Sequence, residues 1–217
     1  MGFTELSHAF IAAKYYVYLN EIFGDRGEAA FLHATRYYGE QRGRRMAQRA
    51  IRDGKPLTYE TYCQYGEWVN TEEVKAQGLG NQSETTSLSP DFQIHIHVCP
   101  WHTQFKNMGL PEAGLLYCKD LDASISRGFN PDIRYEVPQT LHTHDHCVQI
   151  VRNAGLTPEK KIEKYMPGVR SFEYHCAHTF WSLREVSEGI FGDEGVKASD
   201  AVLEDFAKEY GREMADT

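Results

Sequence analysis

A six-residue segment that occurs twice, once near each end of the chain, constrains the fold more than any other feature. Ile-Phe-Gly-Asp-Arg-Gly occupies residues 22–27, and Ile-Phe-Gly-Asp-Glu-Gly occupies residues 190–195. In each copy the Gly-Asp pair can end one helix and cap the next. Two copies are too few for a repeat architecture, which requires about three. We therefore predict two similar helix–turn–helix units that pack together, within one chain or across a dimer. The alternative is similar cap chemistry at two unrelated helix junctions.

The sequence around both copies also predicts helices. Apolar residues recur at spacings of three and four in residues 3–53 and again in residues 179–215, which is typical of helices with one buried face. Asp53-Gly54-Lys55-Pro56 predicts the end of the second helix. The residues of the two predicted faces are Leu6, Phe10, Ala13 and Val17 near the start of the chain and Leu203, Phe206, Tyr210 and Met214 near its end.

The middle of the chain, residues 91–152, has the pattern of strands and one helix. Phe92–Cys99 alternates strictly between apolar and polar residues, as a half-buried strand does. Its two faces would hold Ile94, Ile96 and Val98 on one side and Gln93, His95, His97 and Cys99 on the other. We predict further strands over 132–138, 146–152 and 172–176, and a helix over 111–127. The expected fold is α+β, a single domain over 1–217 in which helices from both termini pack around a central, mainly antiparallel sheet.

Two segments between these zones are less regular. Residues 76–90 contain two glycines and a Thr-Thr-Ser run, which predicts a loop and the best candidate for a mobile lid. The aromatic segment 59–68 fits a strand or a helix.

Charge and cysteine content exclude several classes of protein. The chain has 23 Lys and Arg against 31 Asp and Glu, a net charge of −8, with no basic block, so we expect no nucleic-acid partner. It has no apolar run of the roughly 18–20 residues that cross a membrane, and its first residues lack the order of a signal peptide. Five cysteines are an odd number, which is unfavourable for a disulfide framework. We expect a cytoplasmic protein that is not membrane-bound.

Histidines are concentrated in the middle of the sequence. Eight of the ten lie between residues 95 and 178. Imidazole nitrogen is a common ligand of zinc and of related metals, so the closely spaced histidines predict a site for a divalent ion, zinc, iron or manganese. We expect the first strand's histidines to face the later ones across a shared pocket. The alternatives are acid–base histidines in a metal-free pocket, or no joint role. The candidate ligands are His95, His97, His142, His144 and His146.

Cys118 and Asp122 lie one helical turn apart in the predicted helix, on the same face. A neighbouring carboxylate raises the pKa of a thiol, so activation of this cysteine would require a histidine from elsewhere. The alternative is that Cys118 is a small core residue.

An ordered set of short motifs runs through the same region. Cys99-Pro100 is followed by Gly-Leu-Pro-Glu at 109–112, by the Cys118–Asp122 spacing, by Asn130-Pro131, and by Thr-Leu at 140–141 with Asp-His-Cys at 145–147. This order and spacing resembles the L-2-amino-thiazoline-4-carboxylic acid hydrolase family. The chain departs from the family pattern at one position, where His144 replaces the glycine before the late aspartate.

The resemblance implies a hydrolase that opens a small cyclic amidine or amide-like heterocycle at a C–N bond other than a peptide bond. Water could be activated by a histidine-held metal, or a cysteine could attack with a histidine as base. The alternatives are a lyase or isomerase with histidine acid–base groups, and a non-catalytic small-molecule or metal sensor. The candidate catalytic residues are Cys118, Asp122, His144, Asp145 and Cys147, and the candidates for substrate binding are His102, Arg127 and Arg134, with Arg152 as a further possible anion partner.

Two further expectations concern exposure and assembly. If 146–152 and the preceding histidines form one extended strand, alternation makes Asp145 and Cys147 less exposed than His144. The duplicated segment and aromatic pairs at residues 15–16 and 37–38 predict a homodimer or larger oligomer built partly on the terminal helices.

Overall fold

The fold places a four-stranded antiparallel sheet against a layer of helices from both ends of the chain, which confirms the predicted α+β class. It is described by a computed structural model that covers residues 2–159 and 161–217. The strands are β1 (Gln82–Ser87), β2 (Phe92–Val98), β3 (Tyr135–Gln139) and β4 (Cys147–Val151), in the spatial order β1-β2-β4-β3. The helices are α1 (Glu5–Phe23), α2 (Asp25–Arg52), α3 (Tyr59–Tyr65), α4 (Glu72–Ala76), α5 (Pro100–Asn107), α6 (Pro111–Phe129), α7 (Phe172–Phe191), α8 (Asp193–Tyr210) and α9 (Arg212–Ala215), with a 3₁₀ turn at Met166–Gly168.

The duplicated segment forms the turns of two matching helical hairpins, α1–α2 and α7–α8. Gly24 and Gly192 join the helices of each hairpin at nearly equal angles, with φ of 55° and 58°. Positive φ is readily reached only by glycine, so the repeated Gly is required by the turn itself. The hairpins pack on each other within one chain, and the rings of Phe23 and Phe191 stack with centroids 3.7 Å apart. The predicted pair of packed helix–turn–helix units is confirmed.

Small residues let α2 and α6 pack closely beneath the sheet. A Cβ atom at Gly43 of α2 would overlap the backbone of α6, and one at Gly39 would lie 2.8 Å from the Cβ of Ser124. A Cβ atom at Gly128 of α6 would in turn overlap the backbone of α2 at Glu40. This contact fixes the position of α6, because neither backbone can rotate without a clash. The consequence for the site is that one face of α6 is held toward the sheet.

The sheet has an inner face toward α6 and an outer face away from it. On β2, Ile94 and Ile96 pair with Gln149 and Cys147 of β4, and these side chains point inward. His95, which pairs with Val148, points outward by the strict alternation of strands. The predicted alternation of β2 is therefore confirmed, except that Cys99 follows the strand, precedes α5 and lines the inner side.

Three sequence predictions of local structure are corrected. Residues 172–176 are not a strand, because the Ser171 side chain accepts a hydrogen bond from the Tyr174 backbone and caps α7. The predicted loop 76–90 contains strand β1. Residues 141–146 form turns rather than an extended strand. The ambiguous segment 59–68 begins with helix α3.

In the part of the chain that the structure describes, none of the helices combines the length and apolar character that a bilayer crossing requires.

Candidate functional site

A cavity of about 370 Å³ lies between α6 and the inner face of the sheet. The family-like motif residues converge on it: Cys118 and Asp122 come from α6, Cys147 from β4, and Cys99 from the residue before α5. All four side chains are half-buried. A volume of this order suits a small molecule. Three of the predicted catalytic residues, Cys118, Asp122 and Cys147, thus line one cavity, whereas the predicted histidines and arginines are not among its described lining residues.

Asp122 is the acidic group of the cavity. Its Oδ2 accepts a hydrogen bond of 2.7 Å from Gln149 Nε2. Burial raises the pKa of Asp122 to about 6, against the opposing effects of the Arg42 guanidinium and the Gln149 hydrogen bond. Near neutral pH this carboxyl group can therefore both accept and return a proton, as an acid–base catalyst must.

The cavity thiols are held in their neutral form. Burial raises the pKa of Cys118 well above its ordinary value, and the neighbouring Cys99, Cys147 and Asp122 raise it further. Burial likewise raises the pKa of Cys99 to about 12 and that of Cys147 above its ordinary value. The Cys147 Sγ also accepts a 3.2 Å hydrogen bond from the Leu141 backbone. None of these three groups is a ready thiolate, so attack by any of them requires prior removal of the thiol proton.

Arg42 supplies positive charge to the same cavity. This α2 residue is only 4% exposed, and it lines the cavity wall. The nearby carboxylate of Glu67 is already bound by Arg45 at 2.9 Å and by Arg49 at 2.7 Å. Arg42 Nε lies 3.6 Å from Glu67 Oε2, and that nitrogen has no hydrogen-bond partner within the described residues. One carboxylate among three guanidinium groups leaves net positive charge, which favours an anionic ligand.

Other polar atoms around the cavity are buried without a partner in the described structure. They are the hydroxyl groups of Tyr117 and Thr140 and the side-chain oxygen of Asn81. Because buried polar groups are nearly always hydrogen-bonded, a set of unpartnered atoms around one cavity indicates a polar ligand.

The histidines lie elsewhere, and no histidine is among the described residues that line the cavity. His95 and His97 lie on the outer face of the sheet, where their ring centroids are 4.5 and 5.7 Å from that of His146. Glu84 of β1 lies 3.8 Å from His95 and 3.6 Å from His97. The predicted approach of the early and late histidines is thus confirmed for His146, but the residues meet outside the cavity.

The remaining two candidate ligands are separate from that cluster. His142 packs over Gly114 and against His102, with ring centroids 4.9 Å apart, and burial lowers its pKa to about 4. His144 is exposed and contacts the hydroxyl group of Thr143. Among residues 2–159 and 161–217, no group of three or more His, Cys, Asp or Glu side chains is arranged to hold a metal ion. The five candidate ligands therefore do not all converge on one place, and the metal ion stays a prediction.

The expectation that Asp145 is a shielded residue is wrong. The Asp145 side chain is 90% exposed and contacts His146 Nδ1 at 2.6 Å, so it is not buried beside Cys147. The cause is the turn at 141–146, which ends the alternation before the aspartate. Cys147 begins β4 and is half-buried, and it is less exposed than His144, as predicted.

The predicted substrate-binding residues lie outside the cavity lining. Arg127 bonds Glu40 at 2.9 Å, Arg134 is exposed, and Arg152 pairs with Glu136 and with Asp91. His102 packs with His142, and burial lowers its pKa.

Sequence reasoning missed Arg42 and Gln149. A signal for the first was present, because Arg42 lies one helical turn from both Tyr38 and Met46, which are core residues of α2. A charged residue on the apolar stripe of a helix needs a buried partner or a ligand. Gln149 gave a weaker signal, a polar residue on the inner face of a strand.

Comparison with known proteins gives one finding. The family described as L-2-amino-thiazoline-4-carboxylic acid hydrolase matches residues 4–150, which include α1, α2, the cavity residues of α6 and most of β4. No curated protein and no solved structure matches the chain.

Proposed function

Because the chain belongs to the L-2-amino-thiazoline-4-carboxylic acid hydrolase family, we propose that it opens the ring of a small, carboxylate-bearing cyclic amidine or amide-like heterocycle by adding water at a C–N bond. The observation that carries the proposal is the convergence of Cys118, Asp122, Cys147 and Arg42 on one cavity. The cavity combines a positive group, a proton-exchanging carboxyl group and neutral thiols, which suits hydrolysis at an electrophilic carbon.

Substrate binding depends on charge. Arg42 and Lys164 are the cationic side chains among the described residues that line the cavity. The Nε atom of Arg42 is buried without a hydrogen-bond partner among those residues, so Arg42 would receive the substrate carboxylate. The unpartnered hydroxyl groups of Tyr117 and Thr140 would bind ring heteroatoms. This arrangement would orient the ring with its sp² carbon toward Asp122.

Asp122 would perform the proton transfers. As a carboxylate it accepts a proton from water while the water oxygen bonds to the ring carbon. The protonated carboxyl group then gives that proton to the ring nitrogen, and the C=N bond becomes a single bond. The carboxylate next carries the proton of the new hydroxyl group to the same nitrogen as the C–N bond breaks and a carbonyl group forms. Both protons of the water thus end on the nitrogen, and Asp122 returns to its initial state. A pKa near 6 suits both steps at neutral pH.

Cys118 offers a second route through the same aspartate. Its sulfur could attack the ring carbon as Asp122 takes the thiol proton, and Asp122 would pass that proton to the ring nitrogen as the C–N bond breaks. Water would then attack the same carbon of the adduct, the C–S bond would break, and a proton from the water would restore the thiol. The two routes differ in one observable, a covalent enzyme–substrate adduct on Cys118. The water route is the simpler assignment, because burial holds the thiol protonated.

The test uses purified protein with 2-aminothiazoline-4-carboxylate and with the corresponding neutral carboxamide. Mass spectrometry should detect a product one water heavier than the carboxylate substrate, and the carboxamide should react much more slowly. Asp122→Asn should lower kcat by about 10²–10⁴, whereas His95→Ala, on the outer face, should retain turnover. Equal turnover by Asp122→Asn and wild type would overturn the proposal, and a mass adduct on Cys118 would replace the water route by the thiol route.

A further inference from the structure

Gln149 lies between Asp122 and a tyrosine on the neighbouring strand. Its Nε2 donates to Asp122 Oδ2 at 2.7 Å, and its Oε1 accepts a 2.6 Å hydrogen bond from the Tyr135 hydroxyl group. Tyr135 begins β3 and Gln149 lies in β4, which is paired on both sides, so the backbone that carries the amide is fixed. All three side chains line the cavity.

The hydrogen bonds to Tyr135 and Asp122 together hold the Gln149 amide in one orientation. A phenol that donates to the amide oxygen turns that oxygen toward β3, which leaves the amide NH₂ group facing Asp122. The NH₂ group has no lone pair to receive a proton from a carboxylic acid. Oδ2 is therefore held as an acceptor, and the proton that Asp122 exchanges must reside on Oδ1. Among the described residues, the hydrogen bond of the Asp122 side chain is the one that Oδ2 accepts from Gln149, which leaves Oδ1 for the cavity contents.

We infer that Gln149, oriented by Tyr135, is a positioning residue that fixes the Asp122 carboxyl group and restrains its affinity for the proton. For catalysis this inference rests on the proposed function, since it gives the proton-exchanging group its orientation and its working pH. The orientation of the Asp122 carboxyl group itself follows from the two hydrogen bonds of Gln149, to Asp122 and from Tyr135.

The other groups that face Asp122 do not duplicate this effect. Among the described residues, Arg42 acts on Asp122 from α2 and opposes the effect of burial. Lys164 lines the same cavity but is not among the causes that shift the pKa of Asp122. The remaining facing groups are phenols and thiols, and their pKa values are raised by burial, so they stay neutral when Asp122 titrates. These groups are Tyr59, Tyr62, Tyr117 and Tyr135 among the phenols and Cys99, Cys118 and Cys147 among the thiols.

The test measures the pKa of Asp122 directly, by carbon NMR of protein labelled at aspartate carboxyl carbons, with Asp122→Asn to assign the signal. Gln149→Leu removes the donor and should raise this pKa by about one unit or more, as expected for loss of a hydrogen bond to a charged group. Tyr135→Phe keeps the ring packing against Tyr59 and Tyr62 but frees the amide, and should raise the pKa less.

Gln93→Leu is the matched control, because Gln93 is also a strand glutamine but contacts His95 on the outer face. An Asp122 pKa that is unchanged in a folded Gln149→Leu protein, or that shifts equally in Gln93→Leu, would overturn the inference. If Gln149→Leu fails to fold, Tyr135→Phe decides in the same way.

The pH dependence of kcat/KM separates this inference from the proposed function. If both hold, the acid limb of the rate profile in Gln149→Leu moves to higher pH together with the NMR pKa. If the NMR pKa moves while the acid limb does not, the positioning role is upheld and Asp122 is not the proposed base. A purely structural role for Gln149 would lower the rate equally at all pH values.

Discussion

The two faces of the sheet carry different chemistry, although their residues alternate along the same strands. The inner face presents Cys147 and Gln149 to a cavity that also contains an acid and a guanidinium group. The outer face presents His95 and His97 beside Glu84, partly exposed to solvent. The residue types that most strongly suggest a metal centre are therefore on the face without the cavity. Residue type identifies possible chemistry, but the face of the strand determines whether a substrate can reach it.

Burial gives the inner face its chemical character. The carboxyl group of Asp122 has a pKa near neutrality because the cavity penalises its charge, and Arg42 compensates only in part. The outer side chains contact water and one another, with 48% of the His97 side chain exposed. Substitution of polar side chains that lie partly in solvent usually changes stability little, so substitutions on the two faces should differ in their effects.

The largest difference is expected at Asp122. Asp122→Asn keeps the shape and the contact with Gln149 but cannot take a proton, so kcat should fall by about 10²–10⁴. The measurement is the initial rate with saturating substrate, after circular dichroism shows that the variant is folded. A decrease of less than about threefold, within the scatter of neutral substitutions, would remove Asp122 from proton transfer and would erase the contrast between the faces.

The next effect is expected at Arg42. Arg42→Met should raise KM for a carboxylate substrate by about 10–100-fold, because a charge-assisted hydrogen bond of about 1.5–3 kcal/mol is lost. KM for the neutral carboxamide analogue should change little. Glu67 keeps two ion pairs in this variant, with Arg45 and Arg49, so folding should be preserved. An equal change in KM for both compounds would show that Arg42 supports structure rather than recognises charge.

A third prediction concerns stability and pH at the inner face. The folded-state pKa of Asp122, about 6, lies above the ordinary 3.8, so the protonated form stabilises the fold below about pH 4 and this contribution is lost as the pH rises through 6. At pH 8 Asp122→Asn should therefore be more stable than wild type by about 1–3 kcal/mol. Urea unfolding at pH 4 and pH 8 measures this, and the advantage should disappear at pH 4. An equal advantage at both pH values would mean that packing, not charge, is responsible.

The smallest effect is expected on the outer face. Combined replacement of His95, His97 and His146 by Gln should leave kcat/KM within about twofold and stability within about 1 kcal/mol, as for other exposed polar groups. Treatment with a chelator should leave the rate unchanged in both proteins. A rate loss above tenfold in the histidine variant would mean that the outer face contributes to turnover and that the two faces are coupled.

The secondary structure that depends on local sequence pattern could be predicted, but the contacts between segments distant along the chain could not. Helical periodicity, the alternation of β2 and the one-turn spacing of Cys118 and Asp122 are local, and the structure agrees with each. The convergence of Arg42 with Asp122 joins residues 80 positions apart through the close packing of α2 on α6, which no local pattern encodes. The predicted strand over 172–176 is instead the first part of α7, whose N-cap is Ser171. Oligomeric state stays a prediction, which light scattering can test.

The packing of the first hairpin on the last has a consequence for synthesis on the ribosome. Helix α1 emerges early, yet its partners arrive much later: His8 bonds Thr179, and Lys14 and Tyr18 bond Asp205. Helix α1 can pack on α2 early, but until α7 and α8 have left the exit tunnel the part of α1 that contacts them has no native surface to cover it. Contacts this distant along the chain slow folding and prolong the exposure of apolar surface to other chains. The nascent protein should therefore depend on chaperones over most of its translation time, and the two ends of the polypeptide should become protected from proteolysis together.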